Sequence, residues 1–271
     1  EDLVQLDDPA RIIFFGILLA LSVGVMGSVA RGAPERPALG TFRGVEVGGL
    51  ESRVLTIAMA VVMWLFVVSA SLSLLHNPVA RAGSGITYAE YAHRGFAELN
   101  IAATLVIGAI LATRRTWPRS DAVLWRAAAA ALAGVGGMLV IAFLRLVRYE
   151  QAYGFTYERM QAQGYMLVLA CALALLSLEV ARRAPSGRFA YHTATATLVI
   201  AMAAGYYNTY AWIVRRNVAL YQARGVIDLD YLTRRLSDDA EPALIASIPL
   251  LHAPERTTLD SLMRKEASDR S

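Results

Sequence analysis

Eight polar side chains in this sequence have types and spacings suited to a binding site beside apolar helices. They are Glu90, Arg94, Glu98, Arg145, Arg148, Tyr149, Asn208 and Asp230. Glu90 and Glu98 each lie four residues from Arg94, so a helix would place all three on one face. Such a cluster can bind a small polar ligand, but the same residues can also serve as headgroup anchors and ion pairs between helices.

Arg145 and Glu98 lie nearest to the apolar stretches among these residues. A charge at the centre of a membrane helix costs roughly 2.5–3.5 kcal/mol, and less near the ends, so each of them needs a partner. We therefore expect Glu90 or Glu98 to pair across helices with Arg145 or Arg148.

The sequence contains no recognisable catalytic motif. Glu90 and His93 have the spacing of a carboxylate-bridged metal motif, but no second copy of that motif follows. A P-loop, a dinucleotide fingerprint and a Gly-x-Ser-x-Gly elbow are all missing. We accordingly predict no catalytic residue, no metal site and no cofactor.

The apolar stretches that would carry these residues are long enough to cross a membrane. Of 271 residues, 56% are hydrophobic, and the mean hydropathy is +0.44. A spanning helix needs about 20 mostly apolar residues, because no water is present to pair with its backbone. The sequence predicts an all-α, polytopic bundle of six spans, at residues 12–30, 54–75, 96–113, 122–147, 165–181 and 189–214.

This bundle is predicted to cover residues 1–216, with a short polar helical tail over residues 217–271. Asp228 or Asp230 resembles the cap of a first tail helix, and the chain after Pro254 is expected to be loosely ordered. Six spans would place both ends of the chain on one face of the membrane, together with the polar segments around the eight residues. The arginines divide evenly between the two faces, so the orientation is left open.

The net charge of +4 comes almost entirely from arginine. Arginine in an apolar chain typically lies at the lipid headgroups, so the lipid bilayer is the expected partner. The sequence has no basic patch with interleaved aromatic residues, and nucleic-acid binding is not expected.

Four spaced motifs carry a resemblance to a known family. They lie at residues 86–96, at residues 145–154, at Asn208 with residues 216–217, and at residues 229–244. In this order they resemble a family of bacterial multi-pass membrane proteins of unknown function, DUF4173, over roughly Val54 to Leu251. His93 stands where the family pattern has Arg. The resemblance implies a protein of the bacterial inner (cytoplasmic) membrane, and it implies no substrate or reaction.

Two classes of function fit these observations. The first is a non-catalytic scaffold or accessory subunit of a membrane complex, with the tail contacting other subunits. The second is a sensor or carrier that binds a small ligand in the polar mouth of the bundle. A membrane enzyme is a third interpretation, which would need several titratable groups inside one cavity.

Overall fold

A computed structural model describes residues 49–76, 88–114, 117–183 and 189–269. The α-helices of these ranges are α1 Gly49–His76, α2 Tyr88–Thr113, α3 Ala122–Tyr153, α4 Tyr157–Ala181, α5 Phe189–Tyr206, α6 Thr209–Arg224, α7 Leu229–Arg234, α8 Glu241–Ser247 and α9 Ala253–Asp269. Two 3-10 turns, Asp238–Ala240 and Ile248–Leu250, flank α8. The described ranges contain no strand, and the predicted all-α class is confirmed for them.

Four of the helices are long and apolar enough to cross a membrane. They are Gly49–Leu75, Gly95–Thr113, Ala122–Tyr153 and Tyr157–Ala181. Their outer surfaces carry large apolar side chains, of which Leu65 in α1 is 64% exposed and Leu105 in α2 65% exposed. Extended apolar surfaces of this kind are stable against lipid rather than water. The described part of the chain therefore has four candidate membrane spans, which indicate a multi-pass membrane protein.

The prediction of one span over residues 189–214 is wrong. Helix α5 ends at Tyr206, and α6 begins at Thr209 with its own cap. The side-chain oxygen of Asn208 accepts a hydrogen bond of 2.8 Å from the N–H of Ala211, which starts a new helix where the apolar pattern continues. The predicted span over residues 12–30 lies outside the described residues. The placement of both chain ends on one face of the membrane was derived from six spans, and it stays a prediction.

The described residues form two compact units. The first contains those up to Arg145 and the segment Tyr165–Ile200, and the second contains Leu146–Gly164 and the residues from Ala201 onward. The boundary predicted after Arg216 falls inside α6, and thus inside the second unit.

Glycine residues allow close helix packing in the first unit. A Cβ atom at Gly134 of α3 would lie 2.7 Å from the Cβ of Met63 on α1, and one at Gly137 would lie 3.1 Å from a methyl group of Val67. Gly136, on another side of α3, has no atom within 4 Å of such a Cβ. Gly134 and Gly137 thus lie in close contacts between α1 and α3, which small residues make possible.

The second unit has a hydrophobic core of its own. Ile213 and Val214 of α6 and Leu259 of α9 are completely buried, and they belong to one cluster with Leu232 of α7. Asp228 caps α7 by accepting a 2.9 Å hydrogen bond from the N–H of Tyr231, as its position in the sequence predicted. The expectation of loose order after Pro254 is wrong, because α9 continues through that segment. The Leu259 side chain of this helix belongs to the core.

Candidate functional site

The first unit contains one of the predicted ion pairs. Nη1 of Arg145, on α3, lies 3.6 Å from Oε2 of Glu98, on α2, and the Arg145 side chain is only 5% exposed. Gly95 makes room for this arginine, since a Cβ atom at Gly95 would lie 2.5 Å from its Nη1. The pairing expected from the cost of a buried charge is confirmed, while the contribution of Gly95 was not predicted.

A second polar contact lies on the neighbouring face of α2. The hydroxyl of Tyr165, on α4, donates to Oδ1 of Asn100, whose own amide donates to the backbone oxygen of Phe96 at 2.8 Å. The rings of Phe96 and Tyr165 meet edge to face, with centroids 5.4 Å apart. Residues 95 and 98 therefore contact α3, and residues 96 and 100 contact α4, as helical spacing requires.

We call Gly95, Glu98, Asn100, Arg145 and Tyr165 the Arg145 cluster. It joins three candidate spans through one ion pair, one hydroxyl–amide hydrogen bond and one aromatic contact. Glu90 and Arg94, which the sequence assigned to the same site, lie on α2, but their side chains are outside the described part of the structure.

The opposite ends of α2, α3 and α4 carry separate ion pairs. Arg114 donates to the carboxylate of Glu179, and both side chains are largely buried. Nε of Arg53 donates to Oδ2 of Asp121 at 2.6 Å, and this hydrogen bond holds the pKa of the Asp121 carboxyl below its usual value. Charges concentrated at helix ends fit the headgroup zone, where an ion pair is less costly than in hydrocarbon.

The second unit is organised around the connection between α3 and α4. Gly154, Phe155 and Thr156 form this α3–α4 turn, and Gly154 adopts a φ of 85° that favours glycine. Asn217 of α6 brackets the turn: the N–H of Phe155 donates to its Oδ1 at 2.8 Å, and its Nδ2 donates to the Phe155 oxygen at 2.8 Å. Asn217 belongs to one of the four sequence motifs, but its contact with Phe155 was not predicted.

Arg159 holds the same turn from α4. Its guanidinium donates to the backbone oxygen of Gly154 and lies 3.9 Å from the ring centroid of Tyr149, over the ring. Tyr149 was a predicted site residue, and in the structure it makes this cation–π contact with Arg159.

Gln163 donates from Nε2 to both carboxylate oxygens of the buried Glu150, at 2.7 and 2.8 Å. A single Glu beside a predicted span is the only sequence signal for that contact.

Three tyrosines connect α4 to α6 and α7. The N–H of Tyr157 donates to the hydroxyl of Tyr231 at 2.8 Å, and the Tyr157 ring stacks on that of Tyr210, with centroids 5.1 Å apart. Burial raises the pKa of Tyr231, and burial together with the nearby Tyr157 raises the pKa of Tyr210 to about 12. Both Tyr210 and Tyr231 are therefore uncharged at neutral pH.

The remaining predicted residues of the second unit do not form one site. Asn208 caps α6 and donates to the backbone oxygen of Asp239 at 3.0 Å. Asp230 is exposed and pairs with Arg234 one helical turn later, at 3.2 Å. Arg148 is half-buried on α3. Among the residues that the structure describes, no three His, Cys, Asp or Glu side chains are close enough to hold a metal ion.

The sequence matches a family model described as "Domain of unknown function (DUF4153)" over residues 3–247. The chain belongs to this family. The predicted number, 4173, was wrong, whereas a domain of unknown function covering most of the chain is what the resemblance implied. No curated protein and no solved structure matches the sequence.

Proposed function

We propose that the chain is a non-catalytic membrane component, a scaffold or accessory subunit of a bacterial inner-membrane complex, whose second unit docks another protein. The observation that carries this proposal is the bracket formed by Asn217 on the backbone of Phe155. It fixes α6 to the turn between two candidate spans, at hydrogen-bond distances typical of secondary structure.

A packed unit with such internal contacts suits docking because it loses little conformational freedom when a partner binds. Its core residues come from four consecutive helices, α6 to α9, and its first two helices are capped by Asn208 and Asp228. Several of its polar side chains serve as caps, as an ion pair or in the turn, among them Asn208, Asn217 and Asp228. Such uses support a structural role more directly than a reaction.

The test is the composition of the native assembly. The tagged chain, purified from native membranes in a mild detergent, should run well above its own 29.4 kDa and contain a second polypeptide at fixed stoichiometry. Asn217→Ala removes both hydrogen bonds to Phe155 and should release that polypeptide. Gln222→Ala, which removes an exposed amide from the same helix, should leave the assembly intact. A wild-type chain found alone in such extracts would refute the proposal.

A small-ligand sensor or carrier is the alternative, and the Arg145 cluster favours it. A charged pair, an amide and a phenol from three helices meet there. This alternative gains support if native mass spectrometry of the purified chain detects a small molecule that Asn100→Ala releases. Gly108 on the same helix has open space around it, so Gly108→Ala is the matched control.

A further inference from the structure

A groove of about 580 Å³ lies on the second unit. One side is formed by the connection from α6 to α7, including Val226 and Ile227, and the other by α9, including Leu262. Val226 is 78% exposed although it is fully apolar, and Leu262 is only partly buried. The volume is within the range of small binding pockets, so the groove has room for a few side chains rather than a whole helix.

Acidic side chains surround this apolar surface. Asp228, Asp230 and Glu255 line the groove, and none of the described residues that line it is Arg, Lys or His. This distribution is opposite to that of the whole chain, whose net charge is +4.

Each of the three carboxylates has one structural contact within the chain. Asp228 caps α7, Asp230 pairs with the exposed Arg234, and Glu255 lies near the hydroxyl of Tyr221. The Oε2 atom of Glu255 is buried and has no hydrogen-bond partner among the described residues. An ionised carboxylate has about four acceptor positions, so these contacts leave acceptor capacity for a second donor.

We infer that this groove binds a short segment of a partner protein in which apolar side chains alternate with arginine or lysine. The apolar side chains would cover Val226 and Leu262, and the cations would pair with Asp228, Asp230 and Glu255. Membrane proteins carry such basic segments beside their spans, which makes another membrane subunit the source. The inference rests on the proposed docking function and names the chemistry of its partner.

Charge decides between a protein segment and a lipid surface as the occupant. Anionic lipid headgroups attract basic side chains and would be repelled by three carboxylates around the groove. A basic peptide segment, in contrast, combines attraction by the carboxylates with burial of the exposed valine.

The full chain in nanodiscs of zwitterionic lipid tests this inference with a short fluorescent peptide of alternating leucine and arginine. Fluorescence anisotropy should show saturable binding that empty nanodiscs lack. Asp228→Asn with Asp230→Asn should weaken binding about tenfold, because each lost charge pair contributes a modest free energy. Asparagine still caps α7, so the fold is kept. Val226→Ser should also weaken binding.

The control is Asp239→Asn with Asp260→Asn, which changes the net charge equally at exposed residues outside the groove. The affinity of this control variant for the peptide should stay within about twofold of the wild type, since salt screens exposed charges that lie outside the groove. Equal weakening by both double variants would reduce the effect to net charge and overturn the inference. A peptide with serine in place of leucine that binds equally well would overturn it too.

These results are separable from those on the native assembly. If the wild-type assembly contains a second polypeptide but the peptide does not bind, the groove is not the docking site and the scaffold role stands. If the peptide binds as expected but the native chain has no partner, the groove chemistry holds and the scaffold role fails.

Discussion

The two units of this protein use the same apolar residue types against different surroundings. In the first unit, leucines such as Leu65 and Leu105 are about two-thirds exposed, and the buried Arg114 and Arg145 each pair with a glutamate. In the second unit, Leu232 and Leu259 are buried in a core, and the charged Asp230 and Arg234 are exposed. The buried Glu150 of this unit is hydrogen-bonded to Gln163. Burial of apolar side chains identifies a hydrophobic core where the solvent is water. In lipid, apolar side chains are also stable on the outer surface.

The largest expected effect tests the polar side of the first unit. Arg145→Glu and Glu98→Arg should each lower stability by about 3 kcal/mol, because breaking a buried pair leaves a buried charge without its counter-ion. The double variant restores opposite charges and should recover part of the loss. Thermal unfolding in detergent measures all four proteins. If the double variant is no more stable than the worse single variant, the pair does not stabilise α2 against α3.

The turn glycines test how tightly the second unit holds the α3–α4 turn. Gly154→Ala and Gly225→Ala both place a side chain at a positive φ, which costs about 1–2 kcal/mol. Only the alanine at residue 154 would also meet Oδ1 of Asn217, at 2.5 Å, whereas residue 225 has open space. We expect Gly154→Ala to lower the melting temperature more. Equal effects would show that the bracket is loose.

Helix packing in the first unit is tested by a second pair of glycines. Gly134→Ala should destabilise α1 against α3 by about 1–3 kcal/mol, because the added methyl group overlaps Met63 in a packed contact. Gly136→Ala places the same methyl group in open space and should be neutral. A neutral result for both variants, in melting experiments on the same detergent-solubilised protein, would contradict the close contact of these helices.

The smallest effect concerns alkaline pH and the second unit. The pKa of Tyr210 is raised to about 12, so the folded state retains the phenol proton more strongly than an unfolded chain with a pKa near 10. The stability from this group is complete below pH 10 and decreases as pH rises toward 12. Ultraviolet absorbance of phenolate, compared between the wild type and Tyr210→Phe, should show one tyrosine that ionises late. If Tyr210→Phe loses no late-ionising component of the phenolate absorbance, the burial of the Tyr210 phenol is contradicted.

Four candidate spans, the Asp228 cap and one ion pair could be predicted from the sequence. Long apolar stretches predict spans because a backbone in lipid must satisfy its hydrogen bonds within one helix. Glu98 and Arg145 could be paired in advance because a charge so near to apolar residues needs a counter-ion.

Other features could not be predicted because local sequence does not specify them. The stretch from Phe189 to Val214 is mostly apolar on both sides of Asn208, and the geometry of the cap at Asn208 shows that two helices form there. Asn217 and Phe155 are 62 residues apart, and nothing in either segment identifies the other as its hydrogen-bond partner.

The sequence by itself determined the long apolar helices that are candidate membrane spans, since the transfer of apolar residues into lipid favours such helices. Tertiary structure alone decided that the predicted polar tail is a packed unit fastened to the α3–α4 turn, with an acidic groove on its surface. The physical reason is that a core, a bracket and a groove are made by residues distant along the chain. Their meeting depends on the whole set of packing contacts and not on any one segment.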